Sequence, residues 1–303
     1  MKADVEILLS AYNGERYLRE QLDSLLALDG IEKIKISARD DGSSDGTCDI
    51  LREYAEKHAV NITLGEHIGL NASMMALLEN ADCRFFAFCD QDDVWGPGKI
   101  TAAVAALSAG PETMPRLWGC MEELTGADLK KISMMPVPRY LGDFYNAIVQ
   151  NKLAGHTQVF NRALRDLLLQ APPGAMYLYD WFNYILASSF GEVIFERQCH
   201  GQYRQHGDNA VGYELNPFLQ IPRRLKRLRT GVFKQISKQM LCFNEHFGAK
   251  LAAPYKTELA RFLNSRKHFF TRFLYICKTK IKRDTRFESL QFRVLYLLGV
   301  YGR

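Results

Sequence analysis

Phe85-Phe86-Ala87-Phe88-Cys89-Asp90-Gln91-Asp92-Asp93-Val94-Trp95 is the stretch whose reading decides the fold. Five apolar residues in a row are too few for a buried helix and suit a strand covered on both faces. The switch at Asp90 to three carboxylates within four positions means that this strand ends at something polar. Carboxylates packed so closely repel one another unless a cation neutralises them. Hard divalent cations such as Mg²⁺ or Mn²⁺ take oxygen ligands and bridge to phosphates. Taken alone, the cluster reads first as a solvated acidic turn before Val94-Trp95-Gly96-Pro97, so the residues upstream have to decide.

Upstream, apolar runs alternate with helical patterns. Val5–Leu9 reads as a strand and Glu15–Leu28 as a helix, with Tyr17, Leu18, Leu22, Leu25 and Leu26 at helical spacing. Ile34–Ala38, Thr47–His58, Val60–Leu64 and Asn71–Leu78 repeat the alternation, so Phe85–Cys89 is the fourth strand. A β-α-β-α-β-α-β order predicts a doubly wound, mostly parallel sheet. Ligands of such sheets bind beyond the carboxyl ends of the strands. Three polar loops fall there: Tyr12–Gly14, Asp40–Asp45 and Asp90–Asp93. That convergence turns the acidic cluster from a turn into a candidate ligand site.

From Thr101 to Gln150 the pattern loosens around Pro111, Pro115, Pro136 and Pro138. A second structured part follows, with strands expected at Thr157–Phe160, Val193–Phe195 and His200–Arg204, and helices at about Arg162–Leu169 and Asp180–Ser189. The chain has 303 residues, 47% hydrophobic and 24% charged, the composition of a packed globular protein. Its seven cysteines show no CxxC spacing, which points to neither a zinc site nor a disulfide framework and makes a reducing, cytosolic location the default. No segment resembles a secretory signal or reaches the roughly 18 apolar residues of a spanning helix.

Three motifs now stand in order: Leu9-Ser10-Ala11-Tyr12-Asn13-Gly14, Arg39-Asp40-Asp41-Gly42-Ser43-Ser44-Asp45-Gly46-Thr47 and Cys89-Asp90-Gln91-Asp92-Asp93-Val94-Trp95. Together they resemble family 2 glycosyltransferases, above all bacterial enzymes of polysaccharide and O-antigen synthesis described as rhamnosyl- or glucosyltransferases. The resemblance covers about residues 4–212 and implies a GT-A fold, a Rossmann-like sheet with flanking helices. Residues 1–212 would then form the catalytic domain and 213–303 a basic helical extension. It further implies that Tyr12 borders the nucleotide base, with Asn13 beside it, and that Asp41 accepts the N3–H of uracil or thymine, hence a UDP- or dTDP-sugar. Asp41 equally suits simple turn chemistry. Asp90 is expected near the ribose and sugar, and Asp92 on a Mg²⁺ or Mn²⁺ ion that clamps the diphosphate.

The likeness extends to Asp180 in Tyr179-Asp180-Trp181-Phe182, where relatives carry the catalytic base of an inverting transfer; a helix N-cap is the plainer use of the same residue. Gln202-Tyr203-Arg204-Gln205-His206-Gly207-Asp208-Asn209 offers Arg204 as a phosphate neighbour and His206 as a further metal ligand. Asn71 either lines the donor pocket or caps a helix. At His156 the chain departs from its relatives, which commonly carry a small residue or cysteine, so acceptor identity cannot be carried over from them.

The net charge of +5 gathers late, in Arg223–Arg229 and in Lys278–Arg286. Leu225, Leu228, Val232 and Ile236 recur at helical spacing there, as do Phe269, Phe270, Phe273 and Ile276. Basic amphipathic helices suit an anionic membrane surface, and they equally suit a helix packed on the catalytic domain. The resemblance favours the first, through undecaprenyl-diphosphate-linked saccharide acceptors at the cytoplasmic face of the inner membrane. Nucleic acid would explain the charge but not the acidic loops. A metal-dependent nucleotidyltransferase would need a glycine- and lysine-bearing loop that Ser10–Gly14 lacks, and a dinucleotide oxidoreductase would need GxGxxG. A non-catalytic sugar-nucleotide-binding module remains the third class.

Overall fold

The computed structural model describes residues 3–207 and 231–302. The expected boundary at 212, the Arg223–Arg229 run with Leu225 and Leu228, and Asp208 and Asn209 lie outside the described residues. The first half follows the expected alternation: β1 (Val5–Ala11), α1 (Leu18–Leu26), β2 (Ile34–Asp41), α2 (Thr47–Lys57), β3 (Val60–Gly65), α3 (Leu70–Glu79) and β4 (Phe85–Cys89). The four strands pair in parallel in the order β3-β2-β1-β4. Every residue of β1 and β4 is buried, which is why both read as unbroken apolar runs. β1 and β2 run past their expected ends through Ser10, Arg39, Asp40 and Asp41, all buried. Sequence polarity suggested a stop there; the strands continue because those side chains find partners inside.

The second half adds β5 (Val94–Trp95), α4 (Lys99–Ser108), β6 (Arg116–Thr125), β7 (Lys131–Met134), α5 (Phe144–Ala147), β8 (Val159–Asn161), α6 (Arg162–Leu168), α7 (Tyr179–Phe190) and β9 (Glu192–Arg204). The sheet continues from β4 through β8, β6 and β9 to β5, with β7 on the side of β6. β8 is antiparallel to both β4 and β6, β9 is parallel to β6, and β5 is antiparallel to β9. Four strand spacings of about 4.8 Å would separate β4 from β5 by about 19 Å in a flat sheet. The five residue steps from Cys89 to Val94 reach about 17 Å at full stretch. The sheet therefore curls, and Asp90–Asp93 is the short bridge across its open side.

Two expectations are corrected here. The strands expected at Val193–Phe195 and His200–Arg204 are one strand, β9, whose register with β6 shifts around Cys120–Glu123. Strand β6 was not foreseen: Gly119 and the buried Glu122 interrupt its apolar alternation.

Helices α8 (Val232–Phe247), α9 (Ala253–Asn264), α10 (Phe269–Lys278) and α11 (Arg286–Leu297) complete the described chain. Ile236, Met240, Phe243 and Phe247 of α8 join one apolar cluster with Phe86 and Phe88 of β4 and Phe182 and Ile185 of α7. The Val232–Ile236 stripe, a membrane-facing candidate in the sequence, thus packs on the domain. None of the described helices is long and apolar enough to cross a membrane.

Candidate active site

The acidic loop is built from both sides of the curled sheet. Asp90 is the most open of its carboxylates, with a side chain 34% exposed; it accepts from His156 Nδ1 at 3.0 Å and from the Tyr179 hydroxyl at 3.4 Å. Asp92 lies 2.7 Å from His206 Nε2, and burial together with the charge of Asp90 raises its pKa. Asp93 is buried, accepts the Arg204 backbone N–H at 3.0 Å, and is pushed up to about 8 by that burial. Gln91 points the other way, accepting from Tyr12 N at 2.8 Å and donating to Tyr12 O at 3.1 Å. One residue of the cluster therefore ties it to the first polar loop. A Cβ on Gly14 would stand 2.3 Å from Gln91 Oε1, so that clasp requires glycine.

Beneath the loop lies a buried charge network that sequence reasoning missed. His156 is 2% exposed, and its Nε2 sits 2.6 Å from Glu122 Oε2 while Nδ1 faces Asp90 and Asp93. Burial alone would lower its pKa, but Asp93, Glu122 and Asp90 raise it well above the ordinary value. Fully buried Lys99 donates to the His156 carbonyl at 2.6 Å and stands 3.7 Å from the Trp95 ring centre. The sequence noted His156 only as a departure, and Glu122 fell in a segment read as irregular. The available signal was a pair of charged residues inside apolar surroundings, which is legible only once β6 is recognised.

Asp180 sits in the first turn of α7, one residue after its start, and Leu178 is the N-cap. The cap reading is thereby corrected. Its carboxylate accepts from Asn151 Nδ2 at 2.9 Å and from Trp181 N at 2.7 Å. Burial, reinforced by the nearby Asp90 charge, pushes its pKa up to about 7. The start of α7 is pinned from outside: Gln239 of α8 accepts from Tyr177 N at 2.8 Å, and Asn71 Oδ1 accepts from Tyr179 N at 3.0 Å. Asn71 Nδ2 also donates to the Met176 carbonyl at 2.9 Å. Asn71 is therefore a brace between α3 and α7.

Two further candidate residues are held by neighbouring elements. Both oxygens of Asp41 have partners: Ile68 N and Gly69 N donate at 3.0 and 2.9 Å, Arg39 pairs with Oδ1, and His67 Nδ1 lies 3.0 Å from Oδ2. Arg39 and the two backbone N–H groups hold the Asp41 carboxylate at the end of β2, and His67 Nδ1 also lies 3.1 Å from the Asp41 backbone carbonyl oxygen. Its burial is outweighed by Ile68, Arg39 and Gly69, which lower its pKa and keep it ionised. Arg204 is 2% exposed, donates to the Asp92 and Ala127 carbonyls at 2.8 Å each, and pairs with Glu20. It holds the acidic loop from behind. Asn13, at φ 49°, accepts from Ser44 N at 2.9 Å and braces the second loop against the first. Tyr12 keeps a ring 45% exposed, 4.3 Å from that of His67, which leaves a flat face for a base.

The donor set fits a divalent cation at Asp92 and His206. Two ligands on one octahedral ion of this size lie about 3 Å apart, close to the Asp92–His206 separation, and the raised Asp92 carboxyl is relieved by added positive charge. Asp90, Asp93 and His156 also bring one ligand-type atom each within 4.8 Å of one another. These three groups could equally hold such an ion.

Residues 6–169, more than half of the chain, match the family model for glycosyl transferase family 2, and the chain belongs to that family. An uncharacterised glycosyltransferase of Rickettsia prowazekii is 32% identical over 242 residues, 78% of this chain and 73% of that protein. The dTDP-rhamnosyl transferase RfbG of Shigella flexneri is 25% identical over 235 residues, 69% of this chain and 75% of its own. An uncharacterised Mycobacterium tuberculosis protein is 26% identical over 212 residues, 67% of this chain; the match spans 59% of that relative's length. Among solved structures, S. aureus TarS 1-349 in complex with UDP superposes with a TM-score of 0.58 at 17% identity, over 99% of this chain and 80% of that one. The mannosyltransferase PcManGT from Pyrobaculum calidifontis, in complex with GDP-Man and Mn²⁺, gives 0.53 at 17% identity, over 99% and 86%. The fold is GT-A.

Proposed function

We propose that this family 2 glycosyltransferase moves a hexosyl or deoxyhexosyl unit from a UDP- or dTDP-sugar to a saccharide hydroxyl, inverting the anomeric centre in one displacement. The observation that carries the reading is Asp180, a buried carboxyl with a pKa pushed up to about 7, set at a helix start that touches the acidic loop through Tyr179 and Asp90. A base poised near neutral pH suits removal of the acceptor hydroxyl's proton. Tyr12 offers its open face to the nucleotide base, and Asp90 faces the sugar. Asp92 and His206 would hold Mg²⁺ or Mn²⁺, which when bound neutralises charge developing on the leaving diphosphate. Support for a pyrimidine donor, whose base N–H Asp41 would accept, comes from the UDP bound to TarS and the dTDP in the RfbG name; the GDP-Man of PcManGT shows that the fold also admits a purine. We assign the acceptor to undecaprenyl-diphosphate-linked saccharides of surface-polysaccharide (O-antigen or capsule) synthesis, at the cytoplasmic face of the membrane.

A thermal-shift panel of nucleotide-sugars with Mn²⁺ tests this reading. UDP- or dTDP-sugars should raise the melting temperature and GDP-sugars should not, and Asp92→Ala should lose the Mn²⁺-dependent part of the shift. No shift with any nucleotide-sugar, or a full shift in Asp92→Ala, would refute it.

A further inference from the structure

We propose that the outward faces of α10 and α11 dock on an anionic lipid bilayer, which deepens the membrane-side reading above and is independent of donor chemistry. On α10, Phe269, Phe270, Phe273 and Leu274 are 55, 79, 47 and 60% exposed. Along α11, Phe287, Leu290, Val294 and Leu298 are 63, 58, 48 and 63% exposed. At 100° per residue these last four fall within about 80° of one another, a single stripe. The opposite faces are already used: Tyr275 and Tyr296 pack ring to ring at 4.7 Å and both meet Phe262 of α9. An ordinary surface helix has one apolar face, turned inward. These two helices each have a second, and because their inner faces share one aromatic core, the outer ones point away from it. Of the 17 large hydrophobics exposed among the described residues, eight lie in this pair, a patch and not a scatter.

Charge selects the occupant. Residues 266–293 hold nine Lys and Arg against two acids. Lys267, Lys278, Lys280, Arg286 and Arg293 are exposed, whereas neither acid is. Asp284 pairs with buried Lys152 and accepts from Gln150, and Glu288 closes the capping box with Thr285. A second copy of the same face would bring cation against cation. Anionic headgroups pair with the basic rim while the aromatic stripe enters the acyl boundary.

The surface also stands beside the base side of the site. Between the two helices, the Lys282 carbonyl accepts from Asn146 at 2.9 Å, and Asp284 holds Gln150 and Lys152. Asn151, the residue between those two, donates to Asp180. A bilayer docked on α10 and α11 would thus lie next to the segment that orients the base, within reach of an acceptor carried on a lipid.

Flotation of the full chain tests the proposal, using vesicles of two parts phosphatidylcholine to one part phosphatidylglycerol against phosphatidylcholine alone. The protein should float with the anionic vesicles, lose about fivefold in partitioning for each of Lys278→Gln and Lys280→Gln, and lose about tenfold or more in Phe270→Glu/Leu290→Glu. Unchanged melting temperatures show that the variants fold. Absence of flotation, equal flotation with both vesicles, or a concentration-dependent dimer in sedimentation velocity that Phe270→Glu dissolves would overturn it. Because the readout is vesicle binding, it fails separately from the assignment of donor or acceptor.

Discussion

Replacing Asp180 by asparagine removes a proton acceptor while keeping its shape, so the structure makes a two-part forecast. A general base contributes about a hundred- to ten-thousandfold in rate, and Asp180→Asn should slow nucleoside diphosphate release from the sugar donor by that amount. Nucleotide affinity with Mn²⁺ should stay within about twofold, because the partners of Asp180 are Asn151, Trp181 and Gln158 and none belongs to the donor side. The second part concerns stability. Trp181 N–H will hold the new amide's oxygen, which leaves its NH₂ facing the NH₂ of Asn151. Asn151 cannot turn freely, since its own oxygen accepts from Leu153 N at 3.3 Å. Such a mismatch costs about 1–3 kcal/mol, so Asn151→Asp in the same chain should restore the melting temperature without restoring the rate.

The pH dependence has a definite sign. With a folded pKa raised to about 7, Asp180 keeps its proton in the folded protein where the unfolded chain has already lost it. Its contribution to stability is therefore present below the ordinary carboxyl range and is lost as pH rises toward about 7. Turnover runs the opposite way: below about 7 the ionised base falls about tenfold per pH unit, so wild-type rates should fall with it. The assay is a pH series of donor turnover for both proteins. Rates for Asp180→Asn within about threefold of wild type, against the hundredfold minimum expected of a base, or a flat wild-type profile from pH 5 to 7, would refute the assignment.

Two other substitutions probe how the site is supported. Asn71→Ala should strand the Met176 carbonyl and the Tyr179 N–H that it now satisfies, at about 1–3 kcal/mol; the expected signature is a lower kcat with nucleotide affinity retained, and an unchanged kcat would show that α7 needs no brace. Phe243→Ala, at a fully buried position of α8, should cost about 3–5 kcal/mol. Because its cluster includes Phe86 and Phe182, calorimetry should show the whole protein melting earlier in one transition; a separate early transition would show that α8 does not share the core.

The alternation in the first ninety residues was legible because each element there obeys its own period. Strands buried on both faces are apolar throughout, and helices show a stripe. Beyond Thr101 that rule weakens. β6 carries Glu122 and β9 carries Glu196-Arg197-Gln198 between its two apolar parts, so local pattern says loop where pairing says strand. The helix at Asp180 was visible from its apolar residues, but its anchors were not. Asn71 and Gln239 lie more than fifty residues away on either side and look like any exposed amide in a helix.

The sequence by itself determined the doubly wound half of the sheet, the three polar loops at its carboxyl edge, and the family likeness of Asp90, Asp92 and Asp180, because each rests on residues adjacent in the chain. Only the tertiary structure decided what those side chains are free to do. It braced Asp41 and Arg204 against internal partners, drew His156 and Glu122 together under the acidic loop, and turned α8 inward while leaving α10 and α11 with apolar faces outside. A carboxylate's chemistry follows from which donors reach it, and those donors come from segments that only folding brings together.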